Sequence, residues 1–353
     1  MTVRLREAMG TLPSYVPGRT VAGAIKLASN ETPLPPLPHV LERIAQAAAG
    51  VNRYPDSFSV ELTEALAHRY GVEPARVVVG CGSVSLCHQL ASATAQPGDE
   101  VLYGWRAFET YPIVTAIVGA DPVAVPLHDH VHDLEAMAGH VTEKTRLVFV
   151  CNPNNPTGTV VHRDELARFL DAVPDDVVVV LDEAYHEFVT DAGVPDGLTL
   201  LDEHPNVIVL RTFSKAYGLA GLRVGYGIAG NPELPAALRQ TQTPFAVTTL
   251  AQQAALASLE PEAESQLMAR VKDIVIERDR VQAELIAAGY GVPPTQANFV
   301  WVPLGDDAVD WAAGCEQRKV IVRPFGGFGV RVTIGTPEEN DRFLDAARAL
   351  APR

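Results

Sequence analysis

The 353-residue sequence is short of cysteine, of positive charge and of long apolar runs, and each shortage argues against a class of function. Its four cysteines, Cys81, Cys87, Cys151 and Cys315, form neither a C-x₂-C pair nor a disulfide framework. Zinc modules and dithiol redox sites are therefore set aside, no metal is expected, and buried reduced thiols are. With 28 Lys+Arg against 43 Asp+Glu, the formal net charge is −15. Nucleic acid and anionic membrane surfaces both require a basic face, so neither is expected as a partner. The apolar run at 177–181, bracketed by Asp-Asp and Asp-Glu, is as long as any in the chain. It falls far short of the ~18 residues of a membrane span. The opening MTVRLREAMGTLPSY has no apolar core of a secretory signal, so a cytoplasmic location is expected.

What is present is ordinary for a large folded protein, with 47% hydrophobic and 20% charged residues. Prolines 13, 17, 33, 35, 36 and 38 forbid a long helix in residues 1–38, which read as an arm across a surface. From residue 39, helical patterns at 39–49, 58–70, 84–95, 106–118, 133–139 and 163–172 alternate with short β-branched runs. Those runs lie at 76–80, 100–104, 122–126, 146–152, 177–183, 206–212 and 224–230. They are apolar at both alternating positions, as strands covered on two faces are. The expectation is an α/β fold with a doubly wound, mainly parallel sheet. After Pro244 a helical stretch at 247–288 precedes strand-like 298–302, 319–324 and 329–335 and a closing helix at 337–350. The predicted organisation is an arm (1–38), a large domain (39–244) and a small α+β domain (245–353) that takes in part of the arm.

Three of these runs end in reactive residues. Thr212-Phe-Ser-Lys-Ala-Tyr-Gly-Leu-Ala-Gly-Leu-Arg223 follows the 206–212 run, so Lys215 is expected just beyond a strand's carboxyl end, where open α/β sheets bind ligands. Hydroxyls and an arginine beside a lysine suit a phosphate anchor next to a nucleophilic amine. Leu181-Asp-Glu-Ala-Tyr185 ends a second run; its carboxylate can pair with a protonated ring nitrogen, and Tyr185 can reach a ring oxygen. Cys151-Asn-Pro-Asn-Asn-Pro-Thr-Gly158 ends a third and leaves Asn155 to offer an amide. Gly80-Cys-Gly-Ser-Val-Ser85 precedes a helix start that can hold an anion. Ser85 stands where a dinucleotide fingerprint needs its third glycine, which demotes that reading.

With N-R-Y-P-D, S-N-E-T-P and V-R-V-T-I-G, these motifs make nearly the whole chain resemble the fold-type I, pyridoxal-phosphate-dependent aminotransferases of class I/II. The likeness is to the branch holding histidinol-phosphate and actinobacterial aromatic amino acid (phenylalanine) aminotransferases. The resemblance implies pyridoxal 5'-phosphate in Schiff base linkage to Lys215, which also serves as the proton-transfer base. It implies Asp182 on the ring nitrogen, Tyr185 and Asn155 on the ring oxygen, and Thr212, Ser214, Arg223, Gly82 and Ser83 on the phosphate. Phe108 would stack on the ring, with Trp105 as fallback. Arg331 would clamp the substrate carboxylate with Asn30 assisting. Tyr54 would reach a neighbouring subunit's cofactor, implying a homodimer. Val84 departs from the pattern, since many relatives carry Asp there.

The implied reaction is transfer of an amino group between aromatic amino acids (phenylalanine, tyrosine and by extension tryptophan) and a 2-oxo acid such as 2-oxoglutarate. Tyr15 and Arg323 could instead serve a substrate phosphate, which keeps histidinol phosphate as the alternative donor. Decarboxylation of a phosphorylated amino acid and a non-catalytic regulator are weaker readings. His128, His130 and His132 are expected in a solvated loop, and 325–329 (FGGFG) in a hinge or hairpin turn.

Overall fold

The computed structural model describes Val3 and residues 18–351. Its strands are β1 (Ile25–Lys26), β2 (Val77–Gly80), β3 (Glu100–Trp105), β4 (Asp121–Pro126), β5 (Thr145–Cys151) and β6 (Val178–Asp182). They continue with β7 (Val207–Thr212), β8 (Gly225–Ala229), β9 (Phe299–Gly305), β10 (Val320–Ile321), β11 (Arg323–Phe325) and β12 (Phe328–Thr333). Seven of them make one sheet in the order β2-β8-β7-β6-β5-β3-β4. Pairings among β3 to β7 are parallel, whereas β8 runs antiparallel to both β7 and β2. The exception has a local cause. Only the 213–224 loop joins β7 to β8, and it holds a single 3₁₀ turn and no crossover helix.

Alternate residues of a strand leave opposite faces of the sheet. Val148, Val150, Val179, Leu181, Val207 and Val209 accordingly join one buried cluster, and Leu147, Phe149, Val180, Ile208 and Leu210 join a second. Helices Gly82–Thr94, Thr110–Val118 and Glu233–Thr241 supply Leu86, Leu90, Tyr111, Val114 and Leu238 to the second layer. Helices Val60–Tyr70, Arg163–Ala172 and Pro261–Ala287 contribute to the first. Each fully buried aliphatic side chain is worth roughly 1.5–3 kcal/mol, and a one-residue slip would exchange the two layers.

The carboxyl-terminal part carries a separate antiparallel sheet, β11-β12-β9. The arm is tied to this part, because β1 pairs in parallel with β10. Several expectations need correction. The stretch 247–288 is two helices, Thr249–Leu259 and Pro261–Ala287, because Pro261 holds Glu260 extended (φ −61°, ψ 135°). The run 319–324 divides between β10 and β11, which pair with different partners. The helix expected from 106 begins at Thr110. Helix Glu233–Thr241 was not foreseen, although Asn231 Oδ1 accepts from the N–H of Glu233 at 2.8 Å and of Leu234 at 3.2 Å. His128 and Val131 close a tight turn over Asp129 (φ 47°) and His130 (φ 69°). His132 is not solvated. It is buried over Gly104, where an added Cβ would lie 2.0 Å from its Nδ1, and burial pushes its pKa down to about 4.

Candidate active site

The carboxyl ends of β5, β6 and β7 lie level, with Cys151 opposite Asp182 and Asp182 opposite Leu210. This register carries Asn155, Asp182 and Lys215 to the wall of one cavity of about 490 Å³. Because β8 returns beside β7, the loop between them also delivers Ser214 and Arg223 to that wall.

Asp182 is buried at 2% exposure. Its Oδ2 accepts a 2.8 Å hydrogen bond from the Tyr111 hydroxyl, while its Oδ1 has no hydrogen-bond donor among the described residues. Burial pushes its pKa up to about 6, against the pull of the Tyr111 hydrogen bond. A buried carboxylate oxygen left without a donor is costly, so this atom calls for a proton-bearing group in the cavity. Lys215 lies within Coulombic reach of Asp182, and its Nζ donates to the Ser29 carbonyl at 3.4 Å. Its partial exposure is toward the cavity it lines. Burial, assisted by the positive charges of Arg331 and Arg223, lowers its pKa from 10.5 to about 7.

One end of the cavity is built for an anion. Helix Gly82–Thr94 starts there with no side-chain cap, so its first N–H groups are left for a ligand. Gly82 is required twice over: its φ is +72°, and an added Cβ would meet Arg223 Nη2 at 2.5 Å. Thr212 Oγ1 and Ser214 Oγ lie 3.0 Å apart, and Arg223 Nη1 donates to Ser214 Oγ at 3.4 Å. Gly225 lets this cluster close up, since a Cβ there would lie 2.6 Å from the Ser83 nitrogen. Val84 lines the same wall and adds no polar side chain.

The opposite end is formed by Arg331 from β12. Its Nη1 donates to Asn155 Oδ1 at 2.5 Å and its Nη2 to the Ala28 carbonyl at 2.9 Å. Asn30 donates to the Tyr185 hydroxyl at 2.8 Å, and its Oδ1 accepts from Thr333 at 3.1 Å. The N-terminal segment thus orients Tyr185 within a buried network.

Phe108 lines the cavity, and Trp105 is not among the lining residues. Trp105 packs instead against Tyr103 and under the Arg106 guanidinium, 4.3 Å from its ring. Tyr54 stands outside the cavity, 81% exposed and stacked on Phe245 at 4.5 Å. Tyr15 lies outside the described residues. The sequence reading misses Tyr111, which bonds Asp182, and Glu109, which bonds Arg323; it also misses His88, Thr110 and Ile113, which line the cavity. A helix start around 110 placed beside the Asp182 strand would have pointed to Tyr111; no local signal marks the others.

The sequence model of the family described as aminotransferase class I and II matches residues 22–346. The chain belongs to the class I and II aminotransferases. This aminotransferase is 57% identical to an aromatic amino acid aminotransferase of Thermobifida fusca, over 99% of the chain and 98% of that protein. It is 56% identical to one from Mycolicibacterium smegmatis, over 100% of the chain and 97% of that protein. Among solved structures, the histidinol-phosphate aminotransferase of Sinorhizobium meliloti in complex with pyridoxal-5'-phosphate superposes with a TM-score of 0.88 at 30% identity. That likeness covers 99% of both chains. No helix among the aminotransferase's described residues is long and apolar enough to cross a membrane.

Proposed function

We propose that this enzyme transfers the amino group between aromatic amino acids (phenylalanine, tyrosine and tryptophan) and 2-oxo acids such as 2-oxoglutarate, with pyridoxal 5'-phosphate as cofactor. The observation that carries this reading is full-length identity above one half to aromatic amino acid aminotransferases. The cavity fits the cofactor. Among the described residues Asp182 Oδ1 lacks a donor, and a pyridine nitrogen supplies one. The uncapped helix start, Gly82, Ser83, Thr212, Ser214 and Arg223 form the counterpart of a phosphate.

In this reading Asp182 holds the ring nitrogen, Tyr185 and Asn155 its oxygen, and Phe108 its face. The bound cofactor supplies an aldehyde carbon for an amine and a cationic ring that withdraws electrons. The residues do the rest. Arg331 binds the substrate carboxylate through its guanidinium fork, held in place by Asn155 and the Ala28 carbonyl. Lys215 Nζ takes and returns the α-proton, a task matched to an amine whose pKa lies near 7. Asn30 sets the direction of the Tyr185 hydroxyl. Binding on several fixed elements orients the reacting bond.

The proposal extends to assembly and place. Exposed Tyr54 and Phe245 form one stacked aromatic surface suited to a second copy of the chain, in which Tyr54 reaches the neighbouring cofactor phosphate. Residues 39–244 form the cofactor domain, residues 245–353 with part of the arm form the smaller one, and the enzyme is cytoplasmic. Histidinol phosphate is the second reading, favoured by the Sinorhizobium likeness and by Arg323 standing opposite Arg331. Steady-state assays with 2-oxoglutarate and either donor decide between them. Aromatic specificity requires kcat/KM for phenylalanine to exceed that for histidinol phosphate; the reverse order overturns it.

A further inference from the structure

Arg323 and Arg331 are directly opposite each other across β11 and β12, so their side chains leave the hairpin on one face. A gap of about 20 Å³ beside them is lined also by Glu109, Phe108, Asn155 and Phe325. Arg331 donates to Asn155 Oδ1 and to the Ala28 carbonyl. Arg323 Nη2 donates to Glu109 Oε2 at 2.9 Å, and the two side chains are only 14% and 29% exposed. The other oxygen of Glu109 accepts from Arg106 Nη2 at 3.5 Å. The Arg106 guanidinium is in turn caged by the rings of Trp105, Phe325 and Phe328 at 4.3, 5.1 and 5.2 Å.

Two adjacent guanidiniums suit a phosphate monoester, which carries close to two negative charges and several acceptor oxygens. A carboxylate is satisfied by one planar fork. Glu109 engages one N–H of the second fork and sets a negative charge beside it, in a partly shielded site where repulsion of further phosphate oxygens is weakly screened. We propose that Glu109 is a specificity-determining residue: by holding Arg323 in an ion pair it reserves the arginine pair for a carboxylate and turns away a phosphate monoester. The inference rests on the aminotransferase reading above and sets its substrate class.

The test uses the holoenzyme, whose own phosphate cradle is filled. In E109Q the ratio of kcat/KM for histidinol phosphate to that for phenylalanine is expected to rise at least tenfold over the wild type. Inorganic phosphate, titrated by calorimetry, is expected to bind at least tenfold more tightly. E109A repeats the test with the carboxamide removed as well. In the double variant E109Q/R323Q both gains are expected to vanish, because the second fork is gone. Unchanged phosphate affinity in E109Q and E109A, or a gain that persists in the double variant, overturns the proposal. A wild type that turns over neither donor defeats the aminotransferase reading instead, while the phosphate titration, which needs no turnover, still decides the role of Glu109.

Discussion

Tyr111 offers the sharpest perturbation of the site, because Y111F removes one hydroxyl and keeps the ring. The ring is fully buried and stacked on Phe149 at 4.3 Å, and its hydroxyl donates to Asp182 Oδ2 at 2.8 Å. A hydrogen bond to an ionised acceptor is worth about 1.5–3 kcal/mol, and about 1.4 kcal/mol corresponds to tenfold in a proton equilibrium. Losing it should raise the Asp182 pKa from about 6 to between roughly 7 and 8 in the cofactor-free protein. The sign follows from proton binding. Asp182 titrates higher folded than unfolded, where its value is 3.8, so the folded state binds more protons between the two values. Stability therefore falls as pH rises through that window, by about 3 kcal/mol in the wild type, and is level above it. In Y111F the fall should continue to pH 7–8, adding about 1.5–3 kcal/mol of loss. Urea unfolding of both cofactor-free proteins at pH 5 and pH 8 measures this, and groups titrating equally in both cancel. A Y111F destabilisation that is the same at both pH values would refute the assignment of Tyr111 as the donor that keeps Asp182 charged.

Three further outcomes are expected. R331Q removes the fork proposed for the substrate carboxylate and should lower kcat/KM for phenylalanine by roughly 10- to 150-fold, chiefly through KM, since a charge-assisted pair is worth about 1.5–3 kcal/mol; an unchanged KM would remove Arg331 from the substrate site. The Lys215 amine of the cofactor-free protein should react with an amine-selective reagent with a pH midpoint of about 7, and a midpoint near 10.5 would contradict its burial beside Arg331. At pH 7 about half the molecules would then carry a neutral amine, against about one in three thousand for an ordinary lysine. G225A would bring a Cβ to 2.6 Å from the Ser83 nitrogen and 3.0 Å from the Arg211 carbonyl, so it should cost about 1–3 kcal/mol of stability and weaken cofactor binding; wild-type values in equilibrium dialysis and thermal melts would refute that crowding.

The strand ends were legible because their chemistry is local. A buried parallel strand reads as an apolar run, and Asn155, Asp182 and Lys215 each follow one within four residues. The reversed direction of β8 was not legible, since its sequence looks like that of its parallel neighbours and only the helix-free 213–224 loop distinguishes it. Pro261 carried enough information to split the 247–288 stretch, and Asn231-Pro232 enough to start a helix, but periodicity outweighed both. Tyr111 and Glu109 belong to another kind. They matter through packing between a helix start and distant strands, 71 residues away for Asp182 and 214 for Arg323. The side-by-side placement of Arg323 and Arg331 likewise depends on the turn at Gly326 and Gly327, whose positive φ of 77° at Gly327 fixes the register. The buried His132 shows the same limit, because nothing local separates it from its exposed neighbour His128.

The proposed function depends above all on the amine beside Asp182 and Asn155 being where the cofactor aldehyde is held. Borohydride reduction of the holoenzyme followed by peptide mass mapping reads this directly. One cofactor mass is expected on the peptide containing Lys215, together with loss of visible absorption in K215A. Attachment at any of the other four lysines, or a protein that cannot be loaded with the cofactor at all, would contradict it.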